Sequence, residues 1–157
     1  KELVPEIKKA LNNSGVSSEA IVFEITESIL MRDSKEALHS MEQLKKLGCR
    51  LYMDDFGTGY ASLTYLKRFP IDVLKIDRSF VQDIGIDSDD EAIIQSTLAL
   101  ADSLGKECVA EGVESSHQLA FLKARGCKHF QGYLFSKPVP NTEVLALINR
   151  DWSDIFN

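Results

Sequence analysis

Long apolar runs are missing from this 157-residue chain. No stretch approaches the roughly 18 apolar residues that span a bilayer, so no membrane contact is expected of this segment. A basic excess is missing as well. Asp and Glu number 24 against 18 Lys and Arg, a net charge of −6. That balance argues against a nucleic-acid polymer as partner, which would call for a basic face. Cysteine is scarce: Cys49, Cys108 and Cys127 are odd in number, sit in mostly apolar stretches and lack CxxC spacing. Neither a disulfide framework nor a zinc site is indicated, and a reduced, cytoplasmic setting is expected. His39, His117 and His129 lack ligand spacing and read as structural. No secretory signal opens the chain, and it starts at Lys1 instead of Met, so it is expected to be part of something longer.

What is present is a repeat. Short apolar runs alternate with helix-period segments, at a length that suits one domain core. A helix is predicted over 2–13, with Leu3, Ile7 and Leu11 on one face, and a buried strand over 20–24. Asp33 or Ser34 caps a helix with the stripe Leu38, Met41, Leu44 and Leu47, ended by Gly48. A strand over 49–53, a short helix over 62–68 and a strand over 72–76 follow. A helix over 88–104, a strand over 107–110, a helix over 115–124, a short strand over 129–131 and a helix after Asn141 complete the series. The acids 87–91 sit where a helix's first turn favours negative charge and need no chemical role. Alternation of this kind implies a parallel sheet, hence an α/β fold. A doubly wound sheet and part of a TIM barrel, which needs eight strands, both fit the pattern.

The polar residues at the carboxyl ends of the apolar runs are the informative ones. Ile21-Val-Phe runs into Glu24, Leu51-Tyr-Met into Asp54 and Asp55, Val73-Leu74 into Lys75, Cys108-Val-Ala into Glu111, and Phe130 into Gln131. A parallel sheet brings these ends to one face. The four carboxylates sum to −4 and Lys75 leaves −3, a charge that a confined site does not keep without cations. Oxygen ligands suit Mg²⁺ or Mn²⁺, and two such ions would leave +1, favouring a phosphate. Asp54 and Asp55 can serve two metals if the strand end is bulged enough to aim both inward. Taken singly, an acid after a strand is as often a helix cap; Asp72, Asp77 and Asp83 are assigned to caps or solvated surface. The glycines of Asp55-Phe-Gly-Thr-Gly59 let backbone approach the site, and the segment is neither a dinucleotide nor a kinase signature.

Five ordered segments carry a resemblance. Phe23-Glu-Ile-Thr-Glu27, Asp54-Asp-Phe-Gly-Thr-Gly-Tyr-Ala-Ser-Leu63, Leu74-Lys-Ile-Asp77, Glu111-Gly-Val-Glu114 and Gln131-Gly-Tyr-Leu-Phe-Ser-Lys-Pro138 resemble the EAL-domain family in order and spacing. The resemblance implies a TIM-like (β/α)8 barrel that hydrolyses cyclic di-GMP to linear pGpG in bacterial second-messenger signalling. It implies Glu24, Asp54, Asp55 and Glu111 as ligands, or their immediate shell, for two Mg²⁺ or Mn²⁺ ions, with Asp54 as the bridge. It casts Lys75 as the holder of the attacking water and Glu111 as a helper in activating it. Gln131 and Asp55 then face the substrate, and Glu27 anchors the 55–63 loop, which the family ties to metal binding and dimerisation.

Ala61 replaces a more usual serine. The Glu-Ala-Leu signature and an early asparagine motif are absent, and each would supply a metal ligand. The whole chain, 1–157, therefore corresponds to the C-terminal part of one EAL domain, roughly the last five β/α units of eight. It is expected to be inactive or weak unless another chain completes it, with a sensory or GGDEF-type domain upstream in a parent that those domains could anchor to a membrane. A homodimer is a further expectation. The alternative is a module that binds cyclic di-GMP or a protein without turnover; Asp54, Asp55, Lys75 and Glu111 weigh against it.

Overall fold

The computed structural model describes residues 3–26, 34–58 and 63–156. Helix α1 (Leu3–Ser14) leads into β1 (Val22–Thr26), and α2 (Ser34–Lys46) into β2 (Arg50–Phe56). Then come α3 (Leu63–Arg68), β3 (Val73–Ile76), α4 (Arg78–Gln82), α5 (Ser88–Ser103) and β4 (Glu107–Glu111). Helix α6 (Ser116–Ala124), β5 (His129–Gln131), α7 (Asn141–Ile148) and α8 (Ser153–Phe156) finish the chain. Among the described residues no helix is long and apolar enough to cross a membrane.

The five strands are parallel and pair in sequence order, β1-β2-β3-β4-β5. That order decides what periodicity left open. A doubly wound sheet reverses its order at a switch point and carries helices on both faces. Sequential order with crossovers of one hand lays every helix on the same face, as in a barrel. The packing agrees: Leu51, Met53, Leu74, Ile76 and Ala110 are buried with Met41, Leu44, Ile94, Leu119 and Leu122 of the helices in one core. The fold is α/β, five units of a TIM-like barrel.

Three helix stops deliver the chain closely to the next strand. After α2, Gly48 N–H donates to Lys45 O and Cys49 N–H to Leu44 O, a closure in which Gly48 takes φ +94°. The same pair of bonds closes α5 at Gly105 and α6 at Gly126. Starts are equally local. Asp87 caps α5 by accepting from Asp89 N, and Ser115 and Gln118 form a reciprocal capping box on α6.

Expectations about the helices change at three places. Helix α4 was not anticipated: at five residues, with only Phe80 and Val81 buried, it is too short to show a period. The four-residue α8 escaped for the same reason. Asn141 is the first residue of α7, not its cap; Pro140 holds that position without a side-chain bond. The cap assigned to Asp33 or Ser34 lies outside what is described.

Asp72 is neither a cap nor solvated surface. Its carboxylate takes Lys45 Nζ at 2.7 and 2.8 Å and accepts from Leu51 N–H at 2.8 Å, bracing the start of β2 against that of β3. Asp72→Ala strands a buried amide and a lysine, and is expected to lower stability by about 2 kcal/mol in urea denaturation.

Candidate active site at the carboxyl end of the sheet

Strand register dictates which side chains meet. Glu24 lies opposite Tyr52, Tyr52 opposite Val73, Lys75 opposite Val109, and Glu111 opposite Gln131. Alternation then puts Glu24, Asp54, Lys75, Glu111 and Gln131 on the face away from the helices. The β2–β3 register slips between Met53 and Phe56, where Asp54 and Asp55 stand. Asp55 has φ +55° there, unusual for a residue with a side chain, so consecutive aspartates can both turn toward the site instead of to opposite faces.

Lys75 is the centre. Its Nζ is 2.9 Å from Glu24 Oε2, from Asp54 Oδ1 and from Glu111 Oε1, and its side chain is only 6% exposed. Burial works to lower the lysine's pKa, but the close carboxylates of Asp54, Glu24 and Glu111 outweigh it and hold the group above the ordinary lysine value. Lys75 is therefore held as a cation among the three carboxylates. Burial pushes the Glu111 carboxyl up, against the pull of Lys75. Burial, and then the charges of Asp54 and Asp77, push Asp55 up.

Asp55 sits beside Asp77, for which the sequence predicts a cap or solvated surface. Asp77 is that cap, accepting from Ser79 N–H at 2.9 Å. Burial works to raise it, but Ser79 and the backbone hold it below the usual carboxylate range. Gln131 is exposed alongside Glu111. Glu27 and residues 59–62 of the loop lie outside what is described. Arg78 Nη2 is 3.0 Å from Glu114 Oε1, a pair 36 residues apart with no periodic signal in the sequence.

Among the described residues, no three His, Cys, Asp or Glu side chains stand in ligand geometry, and the Lys75 ammonium lies between Glu24, Asp54 and Glu111. The donors nevertheless fit a hard divalent ion. All are oxygens, the cluster is net negative, and Asp54 Oδ1, though 2.9 Å from Nζ, is buried without a well-directed hydrogen bond. Grooves of about 640 Å³ between α5 and β5 and about 1000 Å³ between α1 and α2 lie away from these carboxylates.

Removing the ammonium tests the cluster. Lys75 has a raised folded pKa, so its stabilisation is fully present below the ordinary lysine value and is lost only as pH rises through the raised one. Lys75→Met leaves three facing acids and is expected to cost about 3 kcal/mol at pH 7, the low end for a buried pair because Glu24 is half exposed. Those acids would bind protons more readily folded than unfolded, so the deficit shrinks toward pH 4. Urea denaturation at both pH values measures it.

The comparisons with known proteins agree with this geometry. A model of the EAL domain matches residues 1–138. The chain is 46% identical over 138 residues to cyclic di-GMP phosphodiesterase NbdA of Pseudomonas aeruginosa, covering 88% of this chain and 18% of that protein. It is 43% identical over 146 residues to the bifunctional diguanylate cyclase/cyclic di-GMP phosphodiesterase MucR of the same organism, covering 93% and 21%. The chain thus spans about a fifth of the length of these curated relatives. Its fold superposes on the solved PaMucR phosphodiesterase in complex with c-di-GMP at a TM-score of 0.88 and 43% identity, covering 91% of this chain and 58% of that one. For the manganese/cyclic di-GMP complex of Klebsiella pneumoniae BlrP1 the TM-score is 0.80 at 34% identity, covering 86% and 34%. A family match over most of the length, on the same barrel plan, places this chain in the EAL-domain family.

Proposed function

We propose that this chain is part of a cytoplasmic phosphodiesterase domain that hydrolyses cyclic di-GMP to linear pGpG. The observation that carries the reading is the buried Lys75 ammonium 2.9 Å from carboxylates of three different strands, beside the bulge at Asp54 and Asp55. Names and complexes of the relatives supply the substrate; the residues supply the chemistry.

Glu24, Asp54, Asp55 and Glu111 would hold two Mg²⁺ or Mn²⁺ ions. Bound ions of this kind neutralise a phosphodiester and make water more acidic. Lys75, permanently protonated, donates hydrogen bonds to the water or to a phosphate oxygen and keeps the three acids in place. Glu111, made more basic by burial, accepts the proton as the water attacks phosphorus in line and the bond to one 3′ oxygen breaks. Gln131 and Asp55 line the substrate side, and Glu27 anchors the loop that follows β2. A homodimer through that loop, and a sensory or GGDEF-type domain on the same polypeptide, belong to the same proposal.

Five units leave a barrel of eight unclosed, so the chain alone is expected to be inactive or weak. Chromatography of cyclic di-GMP incubated with Mg²⁺ or Mn²⁺ tests the reading. The full-length protein that carries this chain should form pGpG, the isolated chain little, and Asp54→Asn in the full-length protein about 100-fold less than the unaltered one. Tight binding of cyclic di-GMP by the full-length protein without turnover in either metal would replace the enzyme with a binding module.

A further inference from the structure

We propose that Arg78 is a positioning residue for Glu111, acting through the turn at 112–114; the inference rests on the phosphodiesterase reading above. Gly112 follows Glu111 directly and has φ +69°. A Cβ there would overlap Arg78 Cγ and come within 2.8 and 3.0 Å of its Cβ and Cδ. The methylenes of Arg78 therefore lie on the bare backbone of residue 112. Two residues on, the guanidinium meets Glu114 at 3.0 Å. Gln82, with its amide oxygen turned toward Arg78, also accepts from Nε and Nη2 at 2.7 Å.

The far side of the turn is held as well. Val113 N–H donates to Gln131 O at 3.1 Å and Leu134 N–H to Val113 O at 3.0 Å. Glu114 N–H donates to Gln118 Oε1 at 2.7 Å, and a Cβ on Gly132 would overlap the Val113 backbone. Residues 112–114 are thus clamped between Arg78 and the exit of β5. The peptide that leaves Glu111 fixes where its carboxylate points, and that carboxylate must stay 2.9 Å from Lys75. The clamp needs an arginine, because one planar fork serves Glu114 and Gln82 together while its stem covers Gly112. Arg78 and Glu114 are 53% and 40% exposed, so the ion pair contributes little to global stability and its effect falls on the site.

Two measurements test this. Amide hydrogen exchange on this chain, without metal or substrate, should quicken about tenfold at Val113 and Glu114 in Arg78→Ala, with the thermal midpoint within about 3 °C. In the full-length protein that carries the chain, Arg78→Ala should lower kcat about 10- to 100-fold with KM within about twofold. Glu114→Gln should do so to a lesser degree, and Arg78→Lys, which keeps the stem but cannot serve Glu114 and Gln82 at once, should recover only part of the loss. Unchanged exchange, unchanged kcat, or a rise in KM alone, which would make Arg78 a substrate contact, each overturns the proposal. Absence of turnover in the unaltered protein sinks the phosphodiesterase reading instead, and the exchange result then decides the clamp by itself.

Discussion

One buried ammonium organises the carboxyl end of this sheet. Lys75 brings β3 into contact with acids from β1, β2 and β4, so a single cation ties four strands together at the place where like charges would push them apart. A lysine so deep in a protein stays charged only when its partners outweigh desolvation. Here three carboxylates do so. The dependence runs both ways: the acids need the lysine to approach one another, and the lysine needs the acids to remain an ammonium.

The scaffold gives that contact its precision. Short strands alternate, sending Leu74 and Ile76 into the helical layer and Lys75 to the opposite face. Helices α2, α5 and α6 stop at left-handed Gly48, Gly105 and Gly126, two or three residues before the next strand. A single slip of register at 53–56 lets consecutive aspartates share one face, which a regular strand forbids. The site is thus assembled from strand ends held by packing, the rigid kind of support that catalytic groups require.

Much of this was legible in the sequence, for a physical reason. Helix period, β-branched runs and glycine stops are local signals, and parallel strands force their carboxyl ends together, so Glu24, Asp54, Lys75 and Glu111 could be grouped before any coordinates. The choice between barrel and doubly wound sheet was not legible in periodicity, because both repeat the same unit; the order of the strands decided it. Contacts without a period also stayed hidden. Asp72 reads as a surface acid until Lys45 and the Leu51 amide are seen to close on it. Arg78 reads as an ordinary helix-start residue until Gly112 and Glu114 are found beneath it. Helix α4 was too short to announce itself. The placement of Asp54 and Asp55 depends on a bulge that sequence could suggest only as a condition.

The central claim is that the acids gathered by Lys75 form a site for divalent cations. Titration of this chain with Mn²⁺ alone, following the free-ion signal by electron paramagnetic resonance, tests it without substrate or turnover. Saturable binding that Asp54→Ala abolishes is the result predicted. Binding that Asp54→Ala leaves intact, or no binding up to millimolar Mn²⁺, would contradict it.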